Sequence, residues 1–173
     1  MRGLFVGRFQ PFHLGHYQFV ESVAAAVDEV LVGVGSAQAS HTVENPFTAG
    51  ERISMVHNAV ADVAATTMAV PIEDVDRYAV WVGHVAATCP PFEVVYTNNP
   101  LVEHLFEREG YEVRGVDLFD RERYRGTEIR RRMLAGEPWR HLVPDAVPPV
   151  VDEVDGVERL RSADAHERDG DLG

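Results

Sequence analysis

Two stretches of this 173-residue sequence place residues suited to phosphate chemistry at short, fixed spacings. The first is GRFQPFHLGH, residues 7–16. Gly7 ends an apolar run, Pro11 forces an extended path, and Gly15 stands beside His16 where a helix pattern opens. That arrangement sets His13, His16 and unpaired backbone N–H groups at the carboxyl edge of a strand, facing a helix N-terminus. A helix start with cationic neighbours is a ready anion site. Arg8 adds a permanent charge whose fork matches phosphate oxygens. A zinc pair is a weaker reading, because HExxH is absent and no third ligand flanks the histidines. Acyl transfer fits poorly too, with no serine or cysteine beside them. Two incidental surface histidines are the plain alternative.

The second stretch is YRGTEIRRRM, residues 124–133. It reads as a loop entering a helix, with Thr127 as the expected N-cap. Gly126 lets the backbone approach a ligand closely, and the first-turn N–H groups serve as anion donors. Arg130, one turn in, can lean back toward the same anion. Arg131 and Arg132 fall on other faces and read as solvated charges.

Both stretches need a scaffold that holds them together. Apolar runs at 3–7, 29–35, 67–72, 93–97 and 111–116 read as strands, several of them apolar throughout, as in strands covered on both faces. Helix patterns lie between and after them, near 15–27, 48–63, 77–89, 100–109 and 127–135. The second opens with a capping box, Thr48 with Glu51. This alternation predicts an α/β fold: a Rossmann-like, doubly wound parallel sheet of about five strands with helices on both faces. In such sheets ligands sit at the carboxyl ends of the strands, near the topological switch point. One domain is expected over residues 1–161, with a helical segment from about 145. The acidic, polar remainder, 162–173, is expected to fray.

Composition limits the function. The net charge is −12, and all 16 basic residues are arginine. Without lysine there is no Walker-type phosphate lysine and no Schiff base. The acid excess opposes a nucleic-acid-binding role. It fits a chain hydrated in strong salt, with arginine-for-lysine drift in a GC-rich genome as the alternative. One cysteine, Cys89, excludes an internal disulfide framework. No apolar run approaches the ~18 residues of a membrane span, and no secretion signal is visible at the start, so a cytoplasmic location is expected.

His13-Leu14-Gly15-His16 after a glycine-terminated strand resembles the HxGH motif of the nucleotidyltransferase superfamily, and residues 124–133 resemble its second phosphate motif. GSAQASH (35–41), NPFTAGER (45–52), VWVGHV (80–85) and NNPLV (98–102) further resemble the archaeal nicotinamide mononucleotide (NMN) adenylyltransferases. The resemblance implies transfer of AMP from ATP to NMN, with Mg²⁺ accompanying ATP and no metal-ligating residues. It implies catalytic roles for His13, His16 and Arg130. ATP contacts would come from Gly7, Arg8, Phe9, Gln10, Gly15, Thr127 and Glu128, and nicotinamide-nucleotide contacts from Ser36, Asp74, Trp81 and Asn99. Without the resemblance, Trp81 reads as a core residue. Glu44 stands where the resemblance implies a basic residue, and Arg125 where it implies a small serine. A homo-oligomer, often a hexamer, is implied as well. The alternatives are a sister adenylyltransferase acting on FMN or phosphopantetheine, and a nucleotide-sensing module without turnover.

Overall fold

The structure is a computed structural model that describes residues 1–117 and 124–170. Five parallel strands run in the order β3-β2-β1-β4-β5. They are β1 (Arg2–Gly7), β2 (Glu29–Val34), β3 (Thr66–Pro71), β4 (Val94–Tyr96) and β5 (Glu112–Arg114). The chain builds outward from β1 to β3, then crosses back to lay β4 on the other side of β1, so the switch point lies between β1 and β4. That is the doubly wound arrangement expected from the alternation of apolar runs and helix patterns.

Successive side chains of a strand point to opposite faces, and β1 shows both. Phe5 packs into one apolar layer with Phe19 and Val20 of α1 (Leu14–Ala24), Met55 and Val56 of α2 (Ala49–Ala59), and Ile129 and Met133 of α5 (Gly126–Ala135). Leu4 packs into the other, with Val82 and Val85 of α3 (Tyr78–Thr88) and Phe106 of α4 (Pro100–Arg108). The central strands are therefore apolar at consecutive positions. Edge strand β3 alternates exposed and half-buried residues along most of its length.

The Thr48–Glu51 capping box is present: Thr48 Oγ1 accepts from the Glu51 N–H at 3.2 Å, and a Glu51 carboxylate oxygen accepts from the Thr48 N–H at 2.9 Å. Beyond the last strand, α6 (Val147–Glu153) and α7 (Gly156–Gly170) close the first layer through Val147, Val150, Val151 and Leu160. The stretch expected to fray is helical through Gly170. A tertiary tie accounts for this, since the Glu167 carboxylate accepts the Val43 N–H at 2.9 Å. Residues 171–173 lie outside the described ones.

Candidate active site

A cleft of about 690 Å³ opens at the carboxyl ends of β1 and β4, the place the topology assigns to a ligand. Gly7, Arg8, Phe9 and Gln10 enter it from β1; His13, Gly15 and His16 from the start of α1. Thr97, Asn98 and Asn99 follow β4, and Gly126, Thr127 and Arg130 belong to the start of α5. The two motifs, more than a hundred residues apart in sequence, thus line one cleft.

The histidines form the N-terminal cap of α1, a role the sequence reading does not anticipate. Helix α1 begins at Leu14, and His13 is its extended N-cap. The His16 N–H donates to His13 Nδ1 at 3.3 Å, and the His13 N–H donates to His16 Nδ1 at 3.2 Å. This is a capping box built from two imidazoles, whose rings stack with centroids 3.5 Å apart. With each Nδ1 accepting from the backbone, a neutral ring carries its proton on Nε2. Burial lowers the His13 pKa to about 4. Burial, and then the neighbouring His13, holds His16 well below its ordinary range. Both rings therefore present neutral Nε2–H donors at physiological pH.

Arg130 is buried, and its Nη1 donates to the Gln10 carbonyl at 2.7 Å. A Cβ at Gly126 would stand 3.0 Å from that Nη1 and 3.1 Å from the Gln10 oxygen, so any larger residue would press on this contact. Gln10 in turn clamps the 45–52 segment: its Oε1 accepts the Phe47 N–H, and its Nε2 donates to the Phe47 carbonyl, both at 2.9 Å. The phosphate loop is tied down at both of its neighbours.

At the rim Arg8 Nη1 pairs with Glu44 Oε1 at 2.6 Å. The hydrogen bond from Arg8 holds the Glu44 carboxyl below the usual range. Were Arg8 to serve a triphosphate, as the sequence resemblance implies, the anion would compete with that carboxylate. Glu44→Gln should therefore lower KM for ATP roughly two- to fivefold at low salt, the scale of an exposed ion pair, and less in molar salt, where screening is strong. A raised KM would show instead that Glu44 holds Arg8 in its binding geometry.

Other candidates stand apart. Ser36, Asp74, Trp81 and Glu128 do not line the cleft. Asp74 exchanges two hydrogen bonds with Gln38, both at 3.0 Å. Trp81 packs edge-on to Phe106 at 5.5 Å on the opposite face of the sheet. Glu128 pairs with Arg131 and Arg132 on the outer side of α5. Asn99 lines the cleft but spends its Oδ1 as the N-cap of α4, accepting from the Leu101 N–H at 3.0 Å. Thr127 is not the N-cap of α5; the helix begins one residue earlier, and Arg125 occupies the cap. The structure adds two residues without an expected role. Asn98 bonds both the N–H and the carbonyl of Val116, bracing the loop after β5. Arg52 is wholly buried behind Arg8. The only prior signal was their position inside quoted motifs.

A cleft of this kind, with two helix starts and buried cations at the switch point, places the chain among the nucleotide-handling α/β proteins, and residues 4–132 match the cytidylyltransferase-like family. The nicotinamide-nucleotide adenylyltransferase of Methanolobus tindarius is 52% identical over 168 residues, 97% of each chain. Enzymes of the same name from Methanothrix thermoacetophila and Halobacterium salinarum are 54% and 53% identical, covering 93% and 99% of this chain. The chain belongs to the nicotinamide-nucleotide adenylyltransferase family within the cytidylyltransferase-like proteins. A bifunctional NMN adenylyltransferase/ADP ribose pyrophosphatase of Francisella tularensis, solved with AMP and a manganese ion, shares the fold with a TM-score of 0.77 at 19% identity. The alignment covers 95% of this chain and 53% of that one.

Proposed function

We propose that this chain transfers the adenylyl group of Mg²⁺-bound ATP to nicotinamide mononucleotide, forming NAD and pyrophosphate. The observation that carries this reading is the histidine capping box, whose two imidazoles line one cleft with Arg8 and Arg130. A phosphate oxygen of the mononucleotide attacks the α-phosphorus of ATP. The new P–O bond forms as the bond to pyrophosphate breaks, and the electron pair leaves on pyrophosphate. The nucleophile is already ionised at neutral pH, so no base is needed, which agrees with imidazoles whose low pKa and occupied Nδ1 suit donation. Catalysis is then orientation and charge stabilisation. His13 and His16 serve the α-phosphate, and Arg130 the departing pyrophosphate. Gly7, Phe9, Gly15 and Thr127 shape the ATP side of the cleft. Mg²⁺ would be held by the phosphate oxygens of ATP and would supply charge neutralisation there.

The test is pyrophosphate release from Mg²⁺-ATP with NMN, FMN and phosphopantetheine in parallel, at low and molar KCl. NAD formation supports the proposal. Turnover with another acceptor alone moves the substrate, and ATP binding without turnover favours a sensor.

For the nicotinamide ring we propose Trp81, with Ser36, Asp74 and Asn99 about the nucleotide. An indole face suits a flat cationic ring by ~0.5–2 kcal/mol. Trp81→Ala should then raise KM for NMN roughly 2- to 30-fold with KM for ATP unchanged. A lower melting temperature with both KM values intact would make Trp81 a packing residue only.

Two further readings belong here. A cytoplasmic setting fits the single buried Cys89 and the absence, among the described residues, of a helix long and apolar enough to cross a membrane. A homo-oligomer is supported by α3, which carries no Asp, Glu or Arg along its 11 residues yet exposes Tyr78 and Val80, in a chain of net charge −12. Apolar exposure of this sort favours a second copy. Sedimentation as a monomer at micromolar concentration would exclude it.

A further inference from the structure

Arg52, in the first turn of α2, is 0% exposed. Its guanidinium makes four hydrogen bonds, all to backbone carbonyls. Nε donates to Thr48 at 3.2 Å; Nη1 to Arg8 at 2.8 Å and to Gly35 at 2.6 Å; Nη2 to Ser36 at 3.0 Å. It has no ion pair among the described residues. The nearest acid in sequence, Glu51, is engaged by Arg159 and by the Thr48 N–H; Asp74 and Glu51 favour the charge from a distance and Arg8 opposes it. Burial lowers its pKa only to about 10, so the charge is kept at neutral pH.

A buried cation without a carboxylate partner is costly, and packing alone gives no reason for it. Its acceptors supply one. Arg8 follows β1, and Gly35 and Ser36 follow β2, so three carbonyls at the carboxyl edge of the sheet converge on one guanidinium. Unoccupied, those oxygens would present negative partial charge toward the edge where the triphosphate must sit. Bonded to Arg52, they are neutralised with a full positive charge left over. The same three bonds lock the loop carrying Arg8, which lines the cleft, to the loop carrying Ser36, and the fourth ties the guanidinium to the N-cap of its own helix.

Resting on the adenylyl-transfer reading, we propose that Arg52 is a positioning residue for both substrates: it welds the two loops at the ends of β1 and β2 and lays a buried positive charge, held by no ion pair, beneath the phosphates. Charge and fork separate by substitution. Arg52→Lys keeps the charge, but a single ammonium cannot span three carbonyls on two loops together with that of Thr48. Arg52→Met keeps most of the volume and loses both.

The experiment measures pyrophosphate and ATP affinity by calorimetry, KM and kcat for both substrates, and thermal unfolding of the full-length protein. Arg52→Lys should bind pyrophosphate within about threefold of wild type, because the charge remains, while kcat falls about tenfold or more and both KM values rise, because the loops separate. Arg52→Met, where folded, should bind pyrophosphate at least about tenfold more weakly. A lysine variant with wild-type kcat and KM overturns the proposal, whatever its melting temperature. So does a folded methionine variant with wild-type pyrophosphate affinity. If the methionine variant does not fold, the lysine kinetics decide alone. Wild-type protein that binds neither pyrophosphate nor ATP overturns this inference and the adenylyl-transfer reading together; intact wild-type binding with unaltered variants overturns only the role of Arg52.

Discussion

The His16→Ala substitution should lower kcat by about two to three orders of magnitude, the usual cost of removing one fixed donor from a developing anion. The deletion also removes half of the capping box that starts α1, so the loss of rate must be separated from a loss of structure. Two further substitutions do this. His16→Asn would place an acceptor near the position of Nδ1 and restore the cap without reaching as far as Nε2. His16→Gln would set a donor near Nε2 and surrender the cap. If Nε2 serves the α-phosphate, the asparagine variant regains the melting temperature but not kcat, and the glutamine variant recovers part of the rate at lower stability. Full activity in the alanine variant would end the catalytic assignment. The low imidazole pKa values also set a pH signature. An unfolded histidine binds its proton below about 6.5, whereas folded His13 does so only near 4. The unfolded chain therefore takes up more protons in that window, and stability should fall as pH drops from about 6.5 toward 4. Chemical denaturation across this range measures the slope, which His13→Ala should reduce. A slope left intact in that variant would assign it elsewhere.

Replacing Arg130 should be about as damaging, for a different reason. Arg130→Met removes the buried cation proposed to meet the departing pyrophosphate, and a loss of about 10²–10³ in kcat is expected. It also strands the Gln10 carbonyl, at roughly 1–3 kcal/mol of stability. Arg130→Lys retains the charge but loses the fork that lets one nitrogen hold Gln10 while another meets a phosphate. It should recover stability before it recovers rate. The reverse reaction, pyrophosphate with NAD, isolates the role: KM for pyrophosphate should rise more than KM for NAD in both variants. Equal changes in the two would mean that Arg130 acts through the loop alone.

The parallel strands, their alternation with helices and the place of the cleft were legible because long apolar runs and one capping box record them locally. Thr48 with Glu51 is a pattern of residue type and spacing, and so is the strand-loop-helix setting of residues 7–16. What escaped depended on partners far away in sequence. Arg52 looks like a surface arginine of an amphipathic helix until the carbonyls of Arg8, Gly35 and Ser36 close around it. The polar run after residue 161 has the composition of a frayed end, and its helix is held partly by a bond from the backbone at Val43 to Glu167. The start of α5 slipped by one residue because Gly126 accepts a helical position where Thr127 is the better-looking cap. His13 and His16 read in sequence as phosphate ligands and not as a helix cap, since histidine is an uncommon choice there.

That last choice says something about the chain's history of use. Serine, threonine or aspartate at position 13 would begin α1 more securely and would not shed stability in mild acid. A lineage that had given up turnover and kept only the fold would be free to take those substitutions. Both imidazoles are still in place, each accepting a backbone hydrogen at the start of the helix. If the imidazoles serve the α-phosphate, the first turn of α1 answers a demand other than its own firmness, one that a chain merely binding nucleotides would not place on it.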